Sequence, residues 1–150
     1  MLILDRLSDL AARQGETLGR SSWHLIDQER IDRFAAATGD DQWIHTDPAR
    51  TWRELGRTTV AHGYLTLAMI PVIMYEIVMV KSARRVINCG ANRIRFVAPV
   101  AAGSRIRGEV RLVKAVSKAD LLSAVFEITV EIEGGAKPAL VAEIITLFHE

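Results

Sequence analysis

The sequence predicts an α+β fold in which an antiparallel sheet wraps around one long central helix. Residues 60–80, VAHGYLTLAMIPVIMYEIVMV, are apolar around the whole helical circumference, which is typical of a helix covered on every side. Residues 84–133 alternate apolar and polar positions with a period of two, which is typical of strands with one buried face. The helix is the one element long and apolar enough to cover that face.

Four shorter elements are expected before the central helix: a helix over residues 5–14, a strand over residues 21–26, a helix over residues 28–38 and a helical turn that begins at Pro48. Gly15 is placed to end the first helix. Asp27 is a suitable N-cap for residues 28–38, because its carboxylate can accept a hydrogen bond from a free backbone N–H. Gly39 can end that helix in the left-handed conformation. Pro71 is expected to kink the central helix, since its ring removes a backbone donor.

Four long strands are expected after the central helix, in RRVINCGANRIRFVAPV, SRIRGEVRLVKAV, LLSAVFEITVEIEG and ALVAEIITLFHE. In the third of these, Phe126 and Ile128 alternate with Glu127 and Thr129, so one face is predicted to be buried and the other wet. PVAAGS, SKAD and GGAKP carry the residues of tight turns between the strands. The last strand is apolar on both faces, which indicates a central strand or one that meets a partner chain. A sheet curled around one long helix is the hot-dog fold.

The composition limits what the protein can bind. The chain has 150 residues, which fits a single domain over residues 1–150. Its formal net charge of +1 gives no attraction to nucleic acid or to an anionic membrane.

Residues 60–80 are long enough to cross a bilayer, but Glu76 and Pro71 favour a buried helix. The single cysteine, Cys89, and a first segment without the apolar run of a signal peptide predict a cytoplasmic protein.

A loop with the sequence ATGDDQWIHTDP, residues 37–48, carries the first candidate site residues. Asp40 and His45 can converge on one water molecule, the pairing that acid–base chemistry near neutral pH requires. The alternative is that Asp40 caps a turn and His45 is a partly buried surface histidine. Gly63 is expected at the start of the central helix, where free N–H groups can hold an oxyanion. A simple N-cap is the alternative role for Gly63.

Three blocks of the chain, FAAATGDDQWIHTDPAR, VAHGYLTLA and NRIRFVAPVAAGSRIRG, resemble the MaoC-like (R)-specific enoyl-CoA hydratase family. The likeness extends over nearly the whole chain. It is strongest to the branch with nodulation protein N and mycobacterial 3-hydroxyacyl-thioester dehydratases. The resemblance implies reversible addition of water to a 2-enoyl thioester of coenzyme A, which gives the (R)-3-hydroxyacyl thioester.

The resemblance also implies which residues act. The family motif of aspartate, any residue, asparagine, proline, any residue and histidine places its aspartate on Asp40 and its histidine on His45, and Gly63 takes the glycine whose N–H binds the thioester carbonyl. This sequence departs from the motif at Gln42, which keeps a side-chain amide with longer reach, and at Trp43, which adds a large wall or is a core aromatic. Which residue of the pair is acid and which is base stays open.

Other residues are expected near the substrate. Ala61 and His62 precede Gly63, with His62 lining the helix mouth, and Asn88 either touches the substrate or belongs to a strand bulge near Gly90. The alternating arginines bind the phosphates of coenzyme A or form a solvated face: Arg93, Arg95, Arg105 and Arg107. Asp40, His45 and His62 lack a known metal-ligand spacing, so no metal site is expected. No cofactor is expected either, because coenzyme A is part of the substrate.

Two rival functions use the same fold. A hot-dog acyl-CoA thioesterase would hydrolyse the thioester, and a non-catalytic acyl-CoA-binding module would turn nothing over. The Asp40–His45 pair favours catalysis over sensing, and the GDDQWIH segment favours hydration by resemblance.

A homodimer is expected, since a sheet of this size has edge strands to protect.

Overall fold

A six-stranded antiparallel sheet forms the body of the structure, a computed structural model that describes all 150 residues. The first nine elements are β1 (Leu2–Leu4), α1 (Leu7–Ala11), β2 (Thr17–Arg20), β3 (His24–Ile26), α2 (Gln28–Thr38), α3 (Trp43–Thr46), α4 (Pro48–Leu55), α5 (Gly63–Ala68) and α6 (Ile70–Ile77). The remaining strands are β4 (Val78–Val80), β5 (Arg85–Phe96), β6 (Ser104–Lys118), β7 (Leu121–Ile132) and β8 (Leu140–His149).

The strand order of the main sheet is β2-β6-β7-β8-β5, and β3 also pairs with β6. All of these pairs are antiparallel. β8 lies between β7 and β5, which confirms the prediction that the doubly apolar last strand is central. β1 and β4 form a separate two-stranded parallel sheet. β5 pairs with β8 alone and therefore forms one edge of the main sheet.

The predicted alternation in β6 and β7 is confirmed by burial. The inward positions of the two strands are fully buried: Ile106, Val110, Leu112, Leu122, Ala124, Phe126, Ile128 and Val130. The residues between them are partly or fully open to solvent. The alternation fails in β5, however, because all twelve of its residues are exposed. As the outermost strand, β5 is paired on one side alone and is only loosely covered by the helices.

The central helix is two helices. α5 ends and α6 begins at Met69, and Pro71 lies in the first turn of α6. The kink expected at Pro71 is thus confirmed. The helix breaks here because a proline is tolerated in the first turn of a helix but not in its interior. The predicted extent of 60–80 is wrong, since helix covers residues 63–77 and residues 78–80 form β4. No helix is long and apolar enough to cross a membrane.

The expectation that this helix is covered on every side is also wrong. Tyr64 and Tyr75 are 68% and 67% exposed, so one face of α5 and α6 is open. The opposite face is buried against the sheet through Leu65, Ile70, Ile73, Met74 and Ile77. The pattern of the sequence does not distinguish these faces, because both are apolar.

The caps of the shorter helices match the sequence closely. α2 spans Gln28–Thr38 as predicted; the Arg30 N–H donates to the Asp27 carboxylate over 2.9 Å, and Gly39 ends the helix with φ of +79°. α4 begins at Pro48 and is capped by Asp47 in the same way. The first helix is shorter than expected, at Leu7–Ala11. The strand expected over residues 21–26 is confined to β3, and β1 and β2 were not predicted.

One acidic residue ties α6 to the chain segment before β3. The carboxylate of Glu76 accepts a hydrogen bond from the Ser22 N–H over 2.7 Å and lies 3.0 Å from Nε2 of His24. The Ser22 hydrogen bond, with a smaller contribution from His24, holds the pKa of Glu76 below its ordinary value. The carboxylate of Glu76, which interrupts the apolar run of residues 60–80, is therefore used to bind Ser22 and His24.

The helix crosses the sheet at a glycine. A Cβ built on Gly108 of β6 would lie 2.4 Å from Cγ2 of Ile73 on α6, closer than packed side chains approach. Gly108 therefore serves as the position where α6 rests directly on the backbone of β6. Ile73 is fully buried there.

We expect Gly108→Ala to destabilise the fold by about 1–3 kcal/mol, because an added methyl group forces α6 away from the sheet. Urea denaturation of the purified protein measures this loss. The control is the same substitution in an Ile73→Ala background, where the space is vacant and the penalty should be smaller. Equal penalties in the two backgrounds would show that the helix crossing does not depend on this contact.

Candidate active site

His45 is held in one orientation and one tautomer. It lies on the short helix α3, and its Nδ1 is 2.6 Å from the backbone oxygen of Val60. A carbonyl oxygen can only accept a hydrogen bond, so Nδ1 carries the proton and donates. In the neutral ring, Nε2 is then the nitrogen with a free lone pair. His45 is 8% exposed and is the most buried residue of the loop of residues 37–48.

The backbone around His45 is anchored by two residues that sequence reasoning missed. Nε2 of Gln28 donates to the His45 carbonyl oxygen over 2.7 Å. The Gln28 side-chain oxygen accepts a hydrogen bond from the hydroxyl of Thr59, which is fully buried. The Val60 N–H also donates to Ile44 O. A glutamine in the first turn of a helix carries no signal for this role, because its partners lie 17 and 31 residues away.

Asp40, His45 and His62 converge. Asp40 directly follows the Gly39 that ends α2, and it is exposed, whereas His62 is 2% exposed. One carboxylate oxygen and one ring nitrogen of each histidine lie within 4.8 Å of one another. No direct hydrogen bond joins the three side chains, and two hydrogen bonds of about 2.8 Å can bridge a separation of up to 4.8 Å through one water molecule. The three residues thus form a cluster that can hold water.

Gly63 occupies the start of α5, as the sequence predicted, with His62 as the N-cap. Its backbone opens on a cleft of about 320 Å³ between α5, the end of β5 and the segment that follows it. The lining residues are Ala61, Gly63, Thr66, Phe96, Val97, Ala98, Pro99, Val100 and Ala139. His62 lies between the two cleft residues Ala61 and Gly63 but contacts Asp40 and His45 instead. The segment 61–63 therefore joins the cleft to the cluster.

Glycine fits tightly at this position. A Cβ on Gly63 would lie 3.0 Å from Cδ1 of Phe96, which itself packs edge-on against Tyr64. A side chain at residue 63 would therefore press against Phe96, beside the free N–H groups at the start of α5. Such groups favour negative charge.

Three predicted substrate-binding residues make contacts of other kinds. The carbonyl of Gln42 accepts the His45 N–H over 2.9 Å, but its side-chain amide forms no hydrogen bond within the chain. Trp43 packs under the guanidinium of Arg50 at 4.5 Å. Asn88 lies on β5, accepts a hydrogen bond from Thr146 and faces a different cleft, beside α6. The register shifts between Asn88 and Gly90, so the alternative of a strand bulge is confirmed.

The arginines of the sheet form ion pairs with neighbouring strands. The distances are 2.8 Å for Arg93 to Glu143, 2.6 Å for Arg105 to Glu133 and 2.8 Å for Arg107 to Glu131. Arg95 has no such partner. Three of the four arginines thus belong to a solvated face, as one of the two interpretations of the sequence predicted.

The fold and the site together place the chain in a known class. It belongs to the MaoC-like family, since residues 9–133 match the MaoC like domain. The chain is 44% identical to 3-hydroxyacyl-thioester dehydratase Z of Mycobacterium tuberculosis over 99% of both chains. It is 40% identical to nodulation protein N of Rhizobium leguminosarum bv. viciae, over 95% of this chain and 91% of the relative.

A solved structure of the same fold is the unliganded R-hydratase PhaJ1 of Pseudomonas aeruginosa. The two superpose with a TM-score of 0.71 over 90% of this chain and 83% of the other, at 21% identity. The hot-dog fold and the branch of the family predicted from the sequence are both confirmed by these matches.

Proposed function

We propose that the protein is an (R)-specific hydro-lyase that adds water reversibly to 2-enoyl thioesters of coenzyme A. The observation that carries the proposal is the convergence of Asp40 and His45 within reach of one water, next to the start of α5. The 44% identity to a relative named as a 3-hydroxyacyl-thioester dehydratase over 99% of the chain supports the same reaction.

The reaction requires two proton transfers and one site for negative charge. The water oxygen bonds to C3 and loses a proton to the Asp40–His45 pair, and the electrons of the double bond move onto the thioester oxygen as an enolate. The pair returns a proton to C2, so that one water is added in all. Nε2 of His45 is suited to accept a proton, because Nδ1–H is held by Val60. The Gly63 N–H is suited to stabilise the enolate oxygen.

The clefts beside the helix suit an acyl chain. Two more open between α5–α6 and β5, and each is lined mostly by apolar side chains. They share Pro71 and Asn88, so they adjoin each other along the helix. In this proposal the thioester lies at Gly63 and the acyl chain extends toward Pro71.

The proposed chemistry is proton transfer, so it requires no metal ion or redox cofactor. Coenzyme A enters as part of the substrate. We also propose a cytoplasmic location, because Cys89 is an exposed free thiol and a reducing compartment keeps such thiols reduced.

We expect the protein to abolish the absorbance of a short 2-enoyl-CoA without releasing free thiol. Both signals can be followed in one cuvette, at the ultraviolet band of the conjugated thioester and with a thiol reagent. Thiol release at the same rate as the loss of absorbance would identify a thioesterase. Saturable binding with neither signal would identify an acyl-CoA-binding module.

We expect Asp40→Asn and His45→Gln each to lower kcat by roughly 10²–10⁴-fold, because each removes a proton-transfer group with little change in shape. The double variant should be scarcely slower than the slower single variant, since the two residues serve one event. Steady-state kinetics and melting temperatures measure both effects.

Asp41→Asn is the matched control for this pair. Asp41 neighbours Asp40 in sequence but lines a separate surface cleft with Asp32 and Thr46, so its loss should leave kcat nearly unchanged. Normal kcat in Asp40→Asn, together with a normal melting temperature, would reduce Asp40 to a turn residue and refute the mechanism.

We further propose that the protein is a homodimer that pairs through β5. This edge strand is twelve residues long, has an unpaired side and exposes Val86, Ile87, Ile94 and Phe96. A long, apolar and unprotected edge invites a second strand.

Light scattering coupled to size exclusion should therefore give about twice the 16.6 kDa mass of one chain. Ile94→Lys should shift the protein toward the monomer, because it places a charge on the paired edge. Leu55→Lys, at an exposed apolar residue of α4, is the control and should remain dimeric. A wild-type protein that is monomeric and fully active would contradict the proposal.

A further inference from the structure

His62 makes one hydrogen bond that fixes the main chain at Asp40. Its Nε2 lies 2.8 Å from the backbone oxygen of Asp40. Because that oxygen can only accept, Nε2 carries the proton and donates. Asp40 has one other main-chain hydrogen bond, a long one of 3.4 Å from its N–H to the Thr38 hydroxyl. The contact with His62 is therefore the short link between Asp40 and the body of the protein.

The ring of His62 also packs against the second residue of the pair. Its centroid lies 3.8 Å from that of His45, and the two planes differ by 27°. The ring of Phe34 on α2 also packs near His62, with 5.0 Å between the two ring centroids. The stack restricts how far the His45 ring can tilt, and the bond to Val60 O restricts its rotation.

We propose that His62 is a positioning residue for the Asp40–His45 pair. One side chain holds the backbone of Asp40 through its N–H and the ring of His45 through its face, and it does so from the N-cap of α5, directly before Gly63. One buried residue thus contacts both members of the pair and directly precedes Gly63, the third group of the mechanism. This inference rests on the proposed function, because positioning matters only if the pair is catalytic.

The same three residues do not form a good metal site, although they lie within 4.8 Å of one another. An imidazole lone pair lies in the plane of its ring. Two rings stacked face to face therefore direct their lone pairs side by side and not toward one ion. Nδ1 of His62 is buried and has no hydrogen-bond partner. The geometry suits mutual support of the rings better than ligation.

Two substitutions separate the contacts of His62. His62→Phe keeps a flat ring for the stack and removes the N–H, and His62→Gln keeps an N–H donor and removes the ring. We expect each to lower kcat by roughly 10–100-fold with KM changed less than threefold, because small misplacements of catalytic groups are costly. His62→Ala should be slower than either. The pH profile of kcat/KM should also change in His62→Gln, where the His45 ring loses its neighbour.

A readout that does not need activity tests the inference separately. In His62→Phe, NMR relaxation should show increased backbone motion of residues 39–42, since Asp40 loses its short link. The control is His24→Phe, which removes the histidine beside Glu76 and should leave those residues unchanged. If wild-type protein has no hydratase activity, the proposed function fails, while the relaxation data still decide whether His62 positions Asp40.

Two results would overturn the inference. One is kcat within twofold of wild type in both His62→Phe and His62→Gln, with unchanged motion at residues 39–42. The other is tight binding of Zn²⁺ in calorimetry with ZnCl₂ that is lost in His62→Gln, which would make His62 a ligand. If His62→Phe does not fold, a slowly exchanging Nε2 proton of His62 in wild-type spectra supports the contact with Asp40, and its absence refutes it.

Discussion

The direct packing of α6 on β6 is the contact on which the rest of the structure depends. Ile73 reaches the sheet because Gly108 presents no side chain, so the helix axis lies close to the strand backbone. α5 joins α6 at Met69, and the position of α6 therefore fixes where α5 starts. Residues 61–63 are brought by this route to the end of β5, against Phe96. A helix held further from the sheet would carry Gly63 away from the cleft that it now lines.

The site is built largely from main-chain acceptors. His45 and His62 each donate one ring N–H to a backbone carbonyl, of Val60 and Asp40 respectively. Each bond selects a tautomer, because a carbonyl oxygen cannot donate in return. The Gln28–Thr59 contact then secures the backbone that carries His45. An exposed aspartate can hold a defined position in this setting, since the two histidines beside it are buried and each donates a hydrogen bond to the backbone.

The loose cover over β5 links two proposals. Because this strand does not close down on α5 and α6, apolar clefts remain between them, and these can hold an acyl chain. For the same reason all twelve residues of β5 are exposed, and the strand presents an unpaired edge. A second chain paired there would cover apolar side chains that one chain leaves open. The proposed acyl-chain site and the proposed dimer thus depend on one structural feature.

The sequence by itself determined the features that depend on neighbours along the chain. The caps at Asp27 and Gly39, the break at Pro71 and the alternation in β6 and β7 follow from local hydrogen bonds, backbone conformation and the two-residue period of a strand. It also named Asp40, His45 and Gly63, through their motif and resemblance. The tertiary structure alone decided the parallel pairing of β1 with β4, the exposure of β5, and the contacts of Gln28 and His62 with the pair. These depend on which distant residues meet, and residues that meet across 17 to 76 positions leave no periodic trace in the sequence.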